Sequence, residues 1–328
     1  MTTASVSRPA ATSKVGSGQV NPNKLLFTTL RWVILIVGSI WALFPVVIII
    51  SAAFDPSNSV SSQTLFSRVT LDNFDKIFND PTRPFVRWMF NSVYISLVST
   101  ILTLIICAFG AYALSRFRYA GRRVTMLTVL IVQVFPNLLA MVALYLFIKM
   151  LGEIFPLNDI GNSLLKNSDI FSQIFGRLAL MFYPGLDSHF GLILIYVGGA
   201  AGFNTWLVKG YFDTVPRDLD ESALVDGATQ FQTFWMIILP LVRPILAVTA
   251  VLSFIGTFSD FLLAAILIKD QQQYTFAVGL SFIINGQYGK EWGVFAAGSL
   301  IGAIPIVILY LLVQRQIAGG LTAGAVKG

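Results

Sequence analysis

Apolar residues along this chain gather into runs too long and too continuous for the stripe of a soluble helix. The first, Trp32 to Phe54, follows Arg31. It exceeds the core of a secretory signal, so it predicts an anchored span even though Ser51, Ala52 and Ala53 imitate a cleavage site. A bilayer core takes about 20 apolar helical residues, and further stretches at about 91–114, 124–148, 190–209, 244–268 and 293–314 meet that length. The pattern predicts an all-α membrane protein with six transmembrane helices. Between the third and fourth spans, Ile170, Phe171, Ile174, Phe175, Leu178, Met181 and Phe182 recur at helical spacing, with Lys166, Asn167, Gln173 and Arg177 off that face. This predicts an amphipathic helix on the outer surface. A seventh span is disfavoured because Asp169 and Arg177 interrupt the run.

Composition agrees: 55% of the 328 residues are hydrophobic and 12% charged, against roughly 25% charged in ordinary soluble chains. The net charge of +6 sits mostly beside the spans, where it sets orientation and gives no reason to expect a nucleic-acid partner. Arg116, Arg118, Arg122 and Arg123 form the densest basic cluster in a short loop. The positive-inside rule puts that loop, both termini and the loop 209–243 in the cytosol. Residues 1–30 read as a disordered cytosolic tail, 31–90 as the first span with an external loop, 91–315 as the remaining transmembrane domain, and 316–328 as a cytosolic tail. A single cysteine, Cys107, excludes an internal disulfide, and a single histidine, His189, leaves too few ligands for a structural metal site.

The informative segment is the cytosolic stretch 214–240. It reads as a helical hairpin, with Asp218 and Glu221 forming a capping box at the first helix and Gly227 supplying a left-handed turn. A second helix, beginning near Thr229, carries Phe231, Phe234, Trp235 and Ile238 toward Pro240. Large apolar residues on a cytosolic hairpin call for a partner; the alternative is a self-capped element with none.

Glu221, Ser222 and Ala223, then Gly227 after three residues, then Ile237, Leu239 and Pro240 after nine more, resemble the EAA motif of binding-protein-dependent import permeases. Ser222 stands where the motif has alanine. Lys209-Gly210-Tyr211-Phe212 and the ending Gly320 to Gly328 resemble the MalG branch of ABC sugar importers, from about residue 30 to the end. The resemblance implies a type I importer permease with a MetI-like core in the bacterial inner membrane. It also implies a homologous MalF-like permease partner, an ABC ATPase homodimer carrying ATP and Mg, an extracytoplasmic sugar-binding protein, and no cofactor on this chain. By resemblance, Glu221, Ala223 and Gly227 dock in the ATPase, maltose or maltodextrin is carried, and sugar contact belongs mainly to the partner permease. Trehalose or another oligosaccharide is the alternative cargo. The chain has no Walker A pattern of its own, since Gly289-Lys290 lacks the preceding glycine and is followed by Glu291.

Other residues keep two readings each. Asp260 is an acid deep in the fifth run, facing either the pore or interfacial water. Pro136, like Pro45 and Pro305, kinks a span, as a gate or passively. The segment Asp270 to Trp292, with Tyr274, Asn285, Gly286, Gln287, Tyr288 and Gly289, is by resemblance the loop that enters the docked binding protein; otherwise it is a solvated connector. Relative to shorter MalG-type chains, 162–183 looks like an insertion. A membrane-embedded enzyme would need His-Glu-x-x-His, Gly-x-Ser-x-Gly or a second embedded acid, and a stand-alone channel leaves the hairpin motif unexplained.

Overall fold

The computed structural model describes residues 22–57, 65–66, 68–134, 137–166, 169–285 and 291–325. The described residues are almost entirely helical. Helix α1 spans Pro22–Ala53. Contacts divide the chain after Ile48. The described residues of the first unit form a single helix exposing Trp32, Ile36 and Trp41, as suits a span whose neighbours are lipid or another chain.

The second unit is built on α3 (Phe85–Arg116), against which α8 (His189–Phe212) and α11 (Leu239–Phe258) pack. Close approach comes from small residues: Gly110 faces Thr205, and Ala108 and Ala111 are buried in the same seam. A stripe of Ser92, Ser96, Ser99, Thr100 and Thr103 on α3 is also buried. Helix α14 (Trp292–Ala325) lies along α11 and meets α2 (Asp72–Asn79), an element the sequence pattern left as loop.

Among the described residues five helices are long and apolar enough to cross a bilayer, and a sixth crossing follows if a pair bent by 48° is taken as one span. That pair comprises α5 (Asn137–Ile154) and α6 (Leu157–Leu165), with the bend just before Pro156. The third predicted run is divided between α4 (Arg122–Val134) and α5. Pro136 lies between them, outside the described residues. The amphipathic stretch forms α7 (Ile170–Met181), with the Asp169 carboxylate accepting the Ser172 N–H at 2.8 Å. It is half of a hairpin with α6. Gly161 and Gly176 face each other so closely that a Cβ on either would stand 2.9 Å from the other's carbonyl oxygen.

The fifth run, predicted to extend to about residue 268, ends as α11 at Phe258 and resumes as the short α12 (Leu262–Leu267). Asp260 is therefore at a break, not inside a helix. The segment from Asp270 onward is not a free external loop either. After a 3₁₀ turn at Gln271–Gln273 it enters α13 (Phe276–Asn285), which buries Phe276, Val278, Leu280 and Ile283. Polar groups of α3 hold it there: Trp88 Nε1 donates to the Gln271 carbonyl at 2.8 Å, Asn91 Nδ2 to the Tyr274 carbonyl at 3.0 Å, and Ser92 Oγ accepts the Phe276 N–H at 2.7 Å. The last bond satisfies a donor that a helix start leaves orphaned.

Phe85, Phe276, Phe258 and Phe254 make a ladder of ring contacts at 6.0, 5.4 and 5.6 Å between α3, α13 and α11. Glycines let α13 sit this close. A Cβ on Gly279 would stand 2.1 Å from the ring of Trp88, itself fully buried. Gly279→Ala is therefore expected to destabilise the fold by about 3 kcal/mol, the upper end for overpacking. Gly256→Ala, with nothing within 4 Å, is the matched control; equal melting temperatures for the two purified variants would contradict this packing.

Candidate functional site: a pinned helical hairpin and a polar cavity

Between α8 and α11 the chain folds into the hairpin the sequence predicts, with one local difference. Helix α9 (Asp218–Val225) starts without a side-chain cap, although Asp218, Asp220 and Glu221 in its first turn suit the positive end of its dipole. The capping box stands one helix later, where Thr229 Oγ1 accepts the Gln232 N–H at 3.2 Å and Gln232 Oε1 accepts the Thr229 N–H at 2.8 Å. This opens α10 (Gln230–Thr233). Glu221 is exposed and takes no part in capping.

Gly227 has φ +84°, the left-handed conformation that residues with a Cβ avoid. Its N–H donates to the Leu224 carbonyl at 3.1 Å, and Ala228 N–H donates to Ala223 at 2.9 Å, closing the end of α9. Beyond α10 a π-turn, Phe234–Ile238, runs directly into α11. Ile237, Leu239 and Pro240 are half-buried there, while Phe234 and Ile238 are fully buried against Tyr112, Val208 and Phe212.

The hairpin is tied to the end of α3. Arg116 Nε stands 2.9 Å from Asp220 Oδ2, with both side chains nearly excluded from solvent. The contact is ionic, because the N–H is not aligned for a hydrogen bond. Arg116 also donates to the Val215 carbonyl and Arg217 to the Ser115 carbonyl, each at 3.0 Å. Ser115 Oγ donates to Asp213 at 2.7 Å, Lys209 pairs with the same carboxylate, and Tyr112 donates to Gln230 at 2.9 Å. Burial pushes the Asp220 carboxyl above the usual range, and the Arg116 charge opposes this.

What the ties hold in place is an apolar surface. Ala223 is buried, but Glu221, Ser222 and Gly227 face outward beside Leu224, Val225 (87% exposed), Phe231, Trp235 and Met236 (73% exposed). Phe231, Trp235 and Met236 belong to Gln230–Phe258, a segment long and apolar enough to cross a bilayer, whereas Leu224 and Val225 stand on the short helix α9 before it.

A second feature lies at the α11–α12 break. Asp260 Oδ1 accepts the Tyr196 hydroxyl at 2.9 Å and the Ala264 N–H at 3.2 Å, so the acid starts α12. Beside it is a cavity of about 610 Å³, lined among others by Gln133, Tyr196, Phe203, Asn204 and Ser253. Asn204 Nδ2 donates to Ser253 Oγ at 3.0 Å. Of the small residues on α8, Gly199 and Ala200 line this cavity, and Gly202 approaches Val129 and Gln133 of α4.

The other residues singled out in the sequence separate. The Tyr274 ring packs against Trp88, with centroids 6.2 Å apart, and is half-buried. Asn285 is exposed at the end of α13. Gly286, Gln287, Tyr288 and Gly289 lie outside the described residues.

Apolar helices long enough to cross a bilayer several times define a multi-pass membrane protein. The chain belongs to the family described as binding-protein-dependent transport system inner membrane component, whose sequence model matches residues 105–318. It is 35% identical over 291 residues to the maltodextrin transport system permease protein MdxG of Bacillus subtilis, covering 88% of this chain and 92% of that protein. It is 34% identical over 307 residues to the galactooligosaccharides transport system permease protein GanQ of the same organism, covering 93% and 96%. Permeases named MalG stand among its relatives, in keeping with the MalG-type motif and ending. Its fold matches a chain of a bacterial ABC transporter that imports alginate, with TM-score 0.65 and 21% identity over 91% of this chain and 99% of that one.

Proposed function

We propose that this chain is the permease subunit of an ATP-driven oligosaccharide importer, with maltodextrins as its cargo. In this reading it forms the pore with a homologous MalF-like permease, and both termini lie in the cytosol. The hairpin 214–240 docks in an ABC ATPase homodimer that carries ATP and Mg. An extracytoplasmic binding protein delivers the sugar at the opposite face, where the loop that carries Tyr274 and Asn285 contacts it.

The observation that carries the reading is the hairpin. Its outward side joins the motif residues Glu221, Ser222 and Gly227 to an exposed apolar patch, and its inward side is fastened by ions and hydrogen bonds to α3. A push on the patch is thereby delivered to a membrane helix. The names of the relatives support oligosaccharide cargo.

Proteoliposomes containing this chain, the partner permease and the ATPase, supplied with binding protein and a panel of maltotriose, trehalose and galactobiose, test the reading. Uptake is expected to need ATP and every component, and to favour maltotriose. Uptake that persists without the ATPase would reject the importer assignment, while preference for trehalose or galactobiose would change only the cargo.

A further inference from the structure

Docking explains the hairpin but not Asp260. Charge within a spanning segment is costly and is kept where it faces water, a partner or a ligand. Among the described residues no cation pairs with Asp260, and both of its hydrogen bonds fall on Oδ1. Oδ2 is left with its acceptor capacity beside a cavity of about 610 Å³, within the roughly 300–1,000 Å³ usual for small-molecule sites.

The other groups around that space have the chemistry of sugar recognition. Tyr196 donates its O–H to Asp260 in a hydrogen bond, so its phenol oxygen remains an acceptor turned by that bond. The Asn204–Ser253 pair presents an amide and a hydroxyl on the neighbouring helices α8 and α11. Gln133 adds an amide from α4, and Phe203 adds an aromatic face for the C–H side of a pyranose ring. Gly199 and Gly256, both lining residues, leave room. A carboxylate is acceptor-only and suits the donor hydroxyls of a neutral sugar; against another carboxylate it is repulsive.

We propose that this cavity is a sugar subsite on this chain itself, in which Asp260 and Tyr196 bind hydroxyls of a neutral hexose unit and the Asp260 charge turns away uronate units. The proposal rests on the oligosaccharide-importer reading. It gives this subunit a direct share of a contact that the resemblance assigns mainly to its partner.

The test uses the assembled transporter in lipid nanodiscs, trapped with ATP and vanadate without binding protein, and compares the Kd values of maltotriose and trigalacturonate. Wild type is expected to prefer maltotriose at least ~10-fold. Asp260→Asn should bring the two Kd values within ~3-fold of each other, and Asp260→Glu should restore the preference. Tyr196→Phe should weaken maltotriose ~10-fold, the net worth of about one hydrogen bond. A ratio of affinities on one assembled sample does not depend on yield, and Tyr196→Phe gives a second reading from the other member of the hydrogen-bonded pair. If wild type imports no neutral oligosaccharide in proteoliposomes, the importer reading falls. If it imports maltotriose but neither the ratio nor the Tyr196→Phe affinity moves, the subsite alone is rejected.

Discussion

Gly227→Pro is expected to abolish ATP-driven uptake while leaving the chain in the membrane. Proline fixes φ near −65°, and Gly227 sits at +84°, so the turn between α9 and α10 cannot be kept. The substitution also removes the N–H that closes on Leu224. The apolar patch loses its shape, and with it the surface on which an ATPase can seat. Gly227→Ala retains the N–H and meets only the left-handed strain of about 1–2 kcal/mol, with nothing within 4 Å of its Cβ; it should lower uptake partly. Glu221→Lys separates docking from folding. Glu221 is exposed and caps nothing, so reversing its charge should lose ATPase co-purification while the melting temperature stays near wild type. Normal complex yield and normal uptake in both Gly227→Pro and Glu221→Lys would show that the hairpin is not where force is transmitted.

The second large effect is expected at Arg116 and Asp220. Removing one member of a buried pair leaves the other charge without compensation, at about 3–5 kcal/mol, and these side chains are only 7% and 12% exposed. Arg116→Ala should therefore cost more than the double variant Arg116→Ala/Asp220→Ala, a coupling that a double-mutant cycle on thermal melts reads directly. The pH dependence has a definite sign. Burial raises the Asp220 carboxyl in the folded state, so its contribution to stability is held at acid pH, below the unfolded value, and lost as pH rises through the folded one. Without Arg116 to oppose that rise, the single variant should regain stability in mildly acidic buffer relative to neutral, while the double variant shows no such gain. Equal destabilisation in the single and double variants at both pH values would mean that the pair does not fasten the hairpin.

Spans one, two, four and six were legible because nothing interrupts their apolar runs. The hairpin was legible because glycine and the flanking acids restrict what a short polar stretch can do. The misreadings share a cause: hydropathy reports how apolar a segment is, not whether its backbone continues. Leu262 to Ile268 is as apolar as a span interior, so the run from Pro244 looked unbroken. At the break Asp260 accepts the hydroxyl of Tyr196, 64 positions away, and the Ala264 N–H, and the first of these partners is invisible to a local hydropathy pattern. Ten residues cannot cross a bilayer, so hydropathy alone gives α13 as part of a loop. Phe276, Leu280 and Ile283 at helical spacing, with Gly279 among them, were the available signal. The capping box was assigned to Asp218 and Glu221 by spacing alone, whereas Thr229 and Gln232 have the same spacing and also the extended N-cap backbone that the motif requires.

The π-turn at Phe234–Ile238 has a mechanical consequence. Such a turn holds one residue more than an α-helical turn, and each residue of an α-helix advances the azimuth by about 100°. The residues before it, Phe231 among them, are therefore out of phase with α11 by that angle. Were the turn to tighten to α-helical pitch, the displaced residue would have to be absorbed at the Gly227 end, and the exposed face carrying Phe231 would rotate about the helix axis. A motor seated on that face would then meet a torsional joint, and its stroke would enter the membrane as twist as well as thrust.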